Sequence, residues 1–327
     1  MLRLPISVVG DFVTNESVLK EEMAEKTNPN NANQYWAIDH WQEFESRVET
    51  IKIKGRDTIN FEVRESRHGP IINPIYASNK GKSSPVSQID QPVAVWWVFR
   101  NTSNSIMEAF YQLPHIKTVE EAASVAAKIH APGLNLMFAN ASGDIAWWAS
   151  AKLPIRPKHV NSKMLLDGAS GKDDPLGFYD FSLNPKQINP PEGVIYTANN
   201  QPANMGNGLV PGYYAPTDRP DRITELLSAQ EKLSVDYMKK MLVDSQSSTG
   251  KLFRDTATPI LAKVKLSEIE TTALGIYLKW EGDHLPLAQG AAINNRFRMS
   301  LMRLAMEDEL GSDYYPNFQF SFLMARS

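Results

Sequence analysis

The sequence predicts an α+β protein, and three observations carry that prediction. Period-two alternation of apolar and polar residues recurs up to about residue 215. Helical periodicity takes over from Arg219 onward, and one helical stretch separates two predicted hairpins. Several strands read as buried on both faces, which suits a layered helix–sheet–sheet–helix sandwich. The sheet-rich part is placed at residues 1–215 and a helical part of the same domain at residues 216–327.

Residues 45–67 give the clearest strand signal. Val48, Thr50, Ile51 and Ile53 sit among Glu49, Lys52 and Lys54, and Gly55-Arg56-Asp57 turns the chain. Ile59, Phe61 and Val63 then alternate with Asn60, Glu62 and Arg64, so a β-hairpin with one buried face is expected. Residues 92–99 (PVAVWWVF) predict a central strand covered on both sides. Residues 1–10 (MLRLPISVVG) read as a strand, being too short for a signal peptide and lacking a small-residue cleavage site. Thr118 followed by Glu121 is a capping box opening a helix to about residue 129, which Pro132-Gly133 ends.

Residues 134–140 and 145–150 flank Ala141-Ser142-Gly143-Asp144 as a second hairpin. Residues 159–192 show little periodicity, and a loop of that length is a functional candidate. Residues 193–197 (GVIYT) predict a short strand running into Asn199-Asn200. Further on, Ile223, Leu226 and Leu227 share a helix face, and Ser234 caps a helix carrying Tyr237, Met241 and Leu242. Helices are also expected at residues 251–264, 267–280 and 289–309, with a loop from Pro316.

Composition narrows the function classes. Hydrophobic residues make up 42% and charged residues 22%, enough for a sizeable core. Acidic residues number 37 against 34 basic ones, with no cationic stripe, so a nucleic-acid partner has no electrostatic support. No apolar run approaches the ~20 residues that a membrane-spanning helix needs. The absence of cysteine removes disulfides, thiolate nucleophiles and Cys-based zinc sites. Six scattered histidines lack zinc-ligand spacing and read as capping, packing or exposed residues. Phosphate-binding and dinucleotide-binding glycine motifs are missing, as is the GxSxG elbow of an esterase. Trp96-Trp97 and Trp147-Trp148 read as core residues of buried strands before they read as sugar platforms. Asn199-Asn200-Gln201-Pro202 alone reads as a turn, since Asn tolerates left-handed φ.

The order of several segments adds to this. Residues 28–36 (NPNNANQYW), 67–72 (RHGPII), 132–135 (PGLN), 138–140 (FAN) and 143–145 (GDI) are followed by Asn199-Asn200, Asp221-Arg222-Ile223 and Trp280-x-Gly282. In that order and at those distances they resemble the penicillin acylase (penicillin amidase) family, over most of residues 14–300 of an internal part of its β-subunit. The resemblance implies the N-terminal nucleophile hydrolase fold, a four-layer αββα sandwich, here incomplete and with a mostly helical C-terminal part. It implies cleavage of linear amides, such as a β-lactam side chain or an N-acyl homoserine lactone. An N-terminal Ser would attack, with its own α-amine as base, a group whose reference pKa is about 7.7–8.0.

Residue by residue, the resemblance puts the oxyanion amide on Asn199, the active-site arginine on Arg222 and an acyl-pocket position on Leu134. Read without it, Arg222 is a helix-start charge paired with Asp218 or Glu225. The family's Ser-Asn start is not matched, because Ser78-Asn79 and Ser103-Asn104 lie inside the similarity. The expectation is a chain without the nucleophile and inactive alone, whose partners are the α-subunit and first β-subunit segment of the same precursor and a small acyl amide substrate. The resemblance also implies a periplasmic or extracytoplasmic location. Many family members bind calcium through acidic residues after a Thr-Asn segment. Here Glu21 follows Thr14-Asn15 at one such position and an apolar residue takes the other, so no metal residues are assigned. Two alternatives stay open. One is a non-catalytic binding module that keeps the fold. The other is a carbohydrate-active protein with exposed indoles beside two carboxylates about 5–10 Å apart.

Overall fold

The computed structural model describes residues 9–12, 19–73, 90–103, 105–202, 214 and 217–324. Thr14-Asn15, Ser78-Asn79 and Asn104 lie outside the described residues. The chain forms two compact units, Met1–Tyr214 and Ala215–Ser327.

The first unit begins with strands β1 (Val9–Phe12), β2 (Lys20–Ala24), β3 (Thr27–Asn28), β4 (Asn31–Ala37), β5 (His40–Glu43), β6 (Glu45–Ile51), β7 (Ile59–Ser66), β8 (Gly69–Pro70) and β9 (Val93–Trp97). Helices α1 (Val98–Asn101), α2 (Ile106–Gln112) and α3 (Val119–Ala126) follow. It ends with β10 (Leu134–Ala139), β11 (Ile145–Ser150), β12 (Pro154–Ile155), β13 (Leu166–Asp167), β14 (Gly177–Phe178) and β15 (Lys186–Ile188).

The predicted second hairpin organises the largest sheet, ordered β1-β10-β11-β15. Its register pairs Leu136 with Trp148 and Phe138 with Ala146, so these four side chains share one face. That face packs on α2 and α3 through Ala109, Ala122, Val125 and Ala126. Small residues on the helix let the bulky strand residues approach. Full burial of Leu136 or Phe138 contributes about 1.5–3 kcal/mol each. The other face pairs Met137 with Trp147, which packs against Ile195. Trp147 and Trp148 are therefore core residues, at 9% and 1% exposure. The capping box on α3 forms in both halves: Thr118 accepts from the Glu121 backbone, and Glu121 accepts from the Thr118 backbone.

A second sheet runs β13-β2-β9, with β2 antiparallel to β9. β9 is the last strand of this sheet, with an isolated bridge from Ile71 to Ala94 on its far edge. Val93 and Ala94 are buried and Val95, Trp96 and Trp97 half-buried, short of the twice-covered central strand expected. β9 also ends earlier than expected, since residues from Val98 turn into α1 and leave Phe99 exposed.

Three further expectations need correction. The β6–β7 hairpin pairs in full register, but it has no buried face: Val48 is 65% exposed, and Ile51 and Ile59 are exposed beside it. β8 continues its ladder, and Arg64, over Phe44, and Glu65, paired with Arg100, join it to residues outside it while these apolar side chains stay exposed. Residues 194–197 form no strand, because β15 already occupies the free edge of β11. The loop expected from Pro316 is helical in its backbone as far as Met324.

The second unit contains α4 (Asp218–Ser228), α5 (Val235–Leu242), α6 (Ser248–Leu261), α7 (Glu268–Leu278) and α8 (Gln289–Met324), the last broken at Gly311. Ser234 caps α5 as expected, accepting from the Tyr237 backbone. The core centres on Tyr277 and Trp280, packed against Ala291, Leu274, Ile293 and Phe297. Arg254 donates to the Trp280 carbonyl, and the Trp280 indole N–H donates to the Asp283 carbonyl at 2.6 Å.

Two glycines in this unit should answer oppositely to alanine. A Cβ at Gly290 would lie 2.2 Å from the Trp280 Cβ, whereas one at Gly275 would meet nothing within 4 Å. Alanine gains up to about 1 kcal/mol in helix propensity at either site, while overpacking costs about 1–3 kcal/mol. Gly275→Ala is expected to raise the urea midpoint and Gly290→Ala to lower it.

Candidate active site

Asn199 follows a buried Ala198 and has a left-handed backbone, with φ of 58°. Asn is the non-glycine residue that adopts this region at least cost. The turn is closed by its neighbours. The Asn199 N–H donates to Thr197 Oγ1 at 3.3 Å, and the Ala198 N–H donates to Asn200 Oδ1 at 3.2 Å. Upstream, Ile195 rests on Trp147, whose indole N–H donates to the buried Asn135 amide oxygen at 2.8 Å. Leu134 opens β10 at 7% exposure, on the face that packs against the helices. Leu134 and Asn199 thus belong to one unit, while Arg222 belongs to the other.

Arg222 lies in α4 and forms a two-pronged pair with Asp244, Nε to Oδ1 at 2.9 Å and Nη2 to Oδ2 at 2.8 Å. Nη1 lies 2.9 Å from Glu225. Of the two partners expected at one-turn spacing, Glu225 is present; Asp218 instead accepts from Thr249. Hydrogen bonds donated to Asp244 and Glu225 raise Arg222 above its ordinary range, and the guanidinium lowers Asp244.

The sequence reading missed a buried charge cluster. His68 was expected only to pack, cap or lie exposed. It is 5% exposed and sits between two carboxylates, Nδ1 at 2.7 Å from Glu25 and Nε2 at 3.0 Å from Asp174. Arg67 forks onto Asp174, and Ser66 Oγ donates to Glu25 at 2.5 Å. Burial works against the imidazolium, but the bonds to Asp174 and Glu25 prevail and hold His68 above its ordinary value of 6.5. Burial raises Asp174, yet His68 and Arg67 hold it down to about 2. The RHGP segment was visible as a motif; the carboxylates it serves were not, lying 43 and 106 residues away.

Glu21 is 1% exposed and is paired with Arg156. Burial pushes it up to about 7 although Arg156 pulls it down. Its second oxygen is buried without a hydrogen-bond partner among the described residues. A calcium ion needs ~6–8 oxygen ligands. Here one carboxylate faces a guanidinium, and no group of three acidic or histidine side chains placed to hold a metal ion is found among the described residues. The described residues do not fit a calcium site.

The family pattern described as penicillin amidase matches residues 14–326. The chain belongs to the penicillin amidase family. Relatives of this family member include acyl-homoserine lactone acylase QuiP of Pseudomonas fluorescens, 30% identical over 266 residues, or 81% of this chain and 31% of that protein. Penicillin acylase 2 proenzyme of a Pseudomonas species is 27% identical, covering 79% of this chain and 32% of that protein. The thermostable penicillin G acylase from Alcaligenes faecalis superposes with a TM-score of 0.68 at 21% identity, over 86% of this chain and 49% of that one. That likeness shows the fold, and the fold is the expected α+β one. The chain spans about a quarter to a third of the length of its curated relatives.

The charge cluster predicts a pH signature for this penicillin amidase family chain. His68 binds its proton more tightly folded than unfolded, so its contribution is complete below 6.5 and is lost as pH rises through the elevated folded value. Asp174 acts on the acid side, its contribution being lost as pH falls from 3.8 through about 2. The melting-temperature difference between the native chain and His68→Gln should be largest below pH 6.5 and shrink as pH rises through the elevated folded value. A difference that grows with pH would contradict the ion-pair assignment.

Proposed function

We propose that the complete protein hydrolyses linear acyl amides, of the β-lactam side-chain or N-acyl homoserine lactone type, by N-terminal serine chemistry. The family match over residues 14–326 carries this reading. The names of the relatives agree with it, both acyl-homoserine lactone acylases and penicillin acylases being among them. In the reaction a serine oxygen attacks the amide carbonyl with the α-amine taking its proton. The amine product leaves with a proton, and water then releases the acid from the acyl-enzyme.

In this reading the Asn199 side-chain amide donates to the tetrahedral oxyanion. A neutral amide suits that task because it is already oriented and brings no charge that the free site would have to neutralise. Arg222 supplies further donors, and Leu134 lines the acyl pocket. None of these side chains is a nucleophile, and in this reading the serine is not among the residues of this chain that resemble the family. The remaining segments of the same precursor would supply it. A periplasmic location accords with the resemblance; no described helix is long and apolar enough to cross a membrane.

Asn199→Gly separates the turn from the chemistry, because glycine keeps the left-handed backbone and removes the amide. In the complete protein it is expected to leave the melting temperature near that of the native protein and to lower kcat by about 10²–10³ on a phenylacetyl or long-chain acyl amide. Unchanged turnover would remove the oxyanion role. The 327-residue chain by itself is expected to hydrolyse neither substrate; turnover by the purified chain would show that its own residues include a nucleophile.

A further inference from the structure

We propose that Asp244 is a positioning residue for Arg222, fixing the plane and the rotation of its guanidinium. The inference rests on the site role given to Arg222 above. Its ground is the geometry of the pair. Asp244 takes the inner edge of the guanidinium with both carboxylate oxygens, Nε at 2.9 Å and Nη2 at 2.8 Å. Two parallel bonds to one carboxylate fix the plane of the group and its rotation within that plane, where a single contact would leave both free.

The carboxylate is itself held. The Asp244 N–H donates to the Met241 carbonyl at 3.2 Å, in the last turn of α5, and the Gln246 N–H donates to Asp244 Oδ1 at 3.3 Å. Arg222 on α4 is thereby registered against the end of α5. Shielding sorts the two acidic partners. The Arg222 and Asp244 side chains are 21% and 19% exposed, whereas Glu225 is 59% exposed and its contact is weakened by solvent. Asp244 is the partner that sets orientation.

The pairing also changes what Arg222 can offer. With Nε and one Nη2 N–H on Asp244 and Nη1 beside Glu225, the guanidinium keeps a second N–H on each of Nη1 and Nη2 for a ligand. Two carboxylates beside one guanidinium remove its surplus positive charge. The group then serves as an oriented pair of donors suited to an amide carbonyl oxygen. Orientation matters more at the transition state than in substrate binding, because a small misplacement of a donor can cost up to about 10²-fold in rate.

The test uses the complete protein and two probes, a chromogenic phenylacetyl anilide and a long-chain N-acyl homoserine lactone. Asp244→Asn replaces one acceptor by an NH₂ that faces Arg222, and it is expected to lower kcat about tenfold or more while KM stays within about twofold. Asp244→Glu keeps the charge and shifts the carboxylate by one methylene, so it should lower kcat less. Asp244→Asn combined with Arg222→Lys should be no slower than Arg222→Lys alone, since the carboxylate acts only through the guanidinium.

Native turnover in Arg222→Lys would overturn the role of Arg222 itself. An impaired Arg222→Lys beside a native-like Asp244→Asn would overturn the positioning role alone. Multiplicative losses in the double variant would do the same, by showing that Asp244 acts independently. If Asp244→Asn melts too low to assay, Asp244→Glu is combined with Arg222→Lys in its place, and multiplicative losses there count against the proposal equally.

Discussion

Two carboxylates on or beside one strand set much of the first unit. Glu21 in β2 and Glu25 just after it are 1% and 0% exposed. Removing a carboxylate from water costs several kcal/mol unless a counter-charge comes with it. Each therefore draws in a partner from far along the chain, Arg156 at 135 residues and His68 at 43. His68 in turn holds Asp174, and Arg67 bonds both Asp174 and the Gly168 carbonyl. The Gly168 N–H donates to the Ala24 carbonyl at 3.0 Å, returning the tether to β2. Residues 159–192 are located by these polar links together with the pairing of β13 on β2 and β15 on β11, and by Leu166, Phe178 and Phe181, which pack on buried clusters.

The hydrophobic work is done elsewhere, by β10 and β11. They bury both faces, Leu136, Phe138 and Trp148 against helices and Trp147 against Ile195. Because Ile195 lies four residues before Asn199 in a segment with no ladder of its own, side-chain packing positions it where strand pairing does not. The helical unit repeats the pattern with different residues. Trp280 packs closely against Gly290, while Arg254 binds its carbonyl. Around Arg222 the same preference for paired charge yields a guanidinium held on one edge.

How much of this was legible in the sequence depended on range. The cap at Thr118 needs only Glu121, and the hairpin at Gly55 needs only the alternation on either side of it, so both were read correctly. The ordered motifs from residue 28 to Gly282 carried the family. The strand expected at residues 193–197 failed because an equally short segment, Lys186–Ile188, had taken the edge of β11. Alternation in β6 and β7 forecast a buried face, yet Val48, Ile51 and Ile59 are exposed, since periodicity marks a face without saying what meets it. The i+3 rule found Glu225 for Arg222 and missed Asp244, 22 residues away.

By itself, then, the sequence determined the local elements, their caps, the α+β class and the kinship of the chain, because these follow from residues a few positions apart or from their order. Only the tertiary structure decided which strand edges were filled, which apolar faces were covered, and which cation met each buried carboxylate. Pairing across 43 or 135 residues leaves no periodic trace in the chain; it is enforced by the cost of an unpaired charge in the interior.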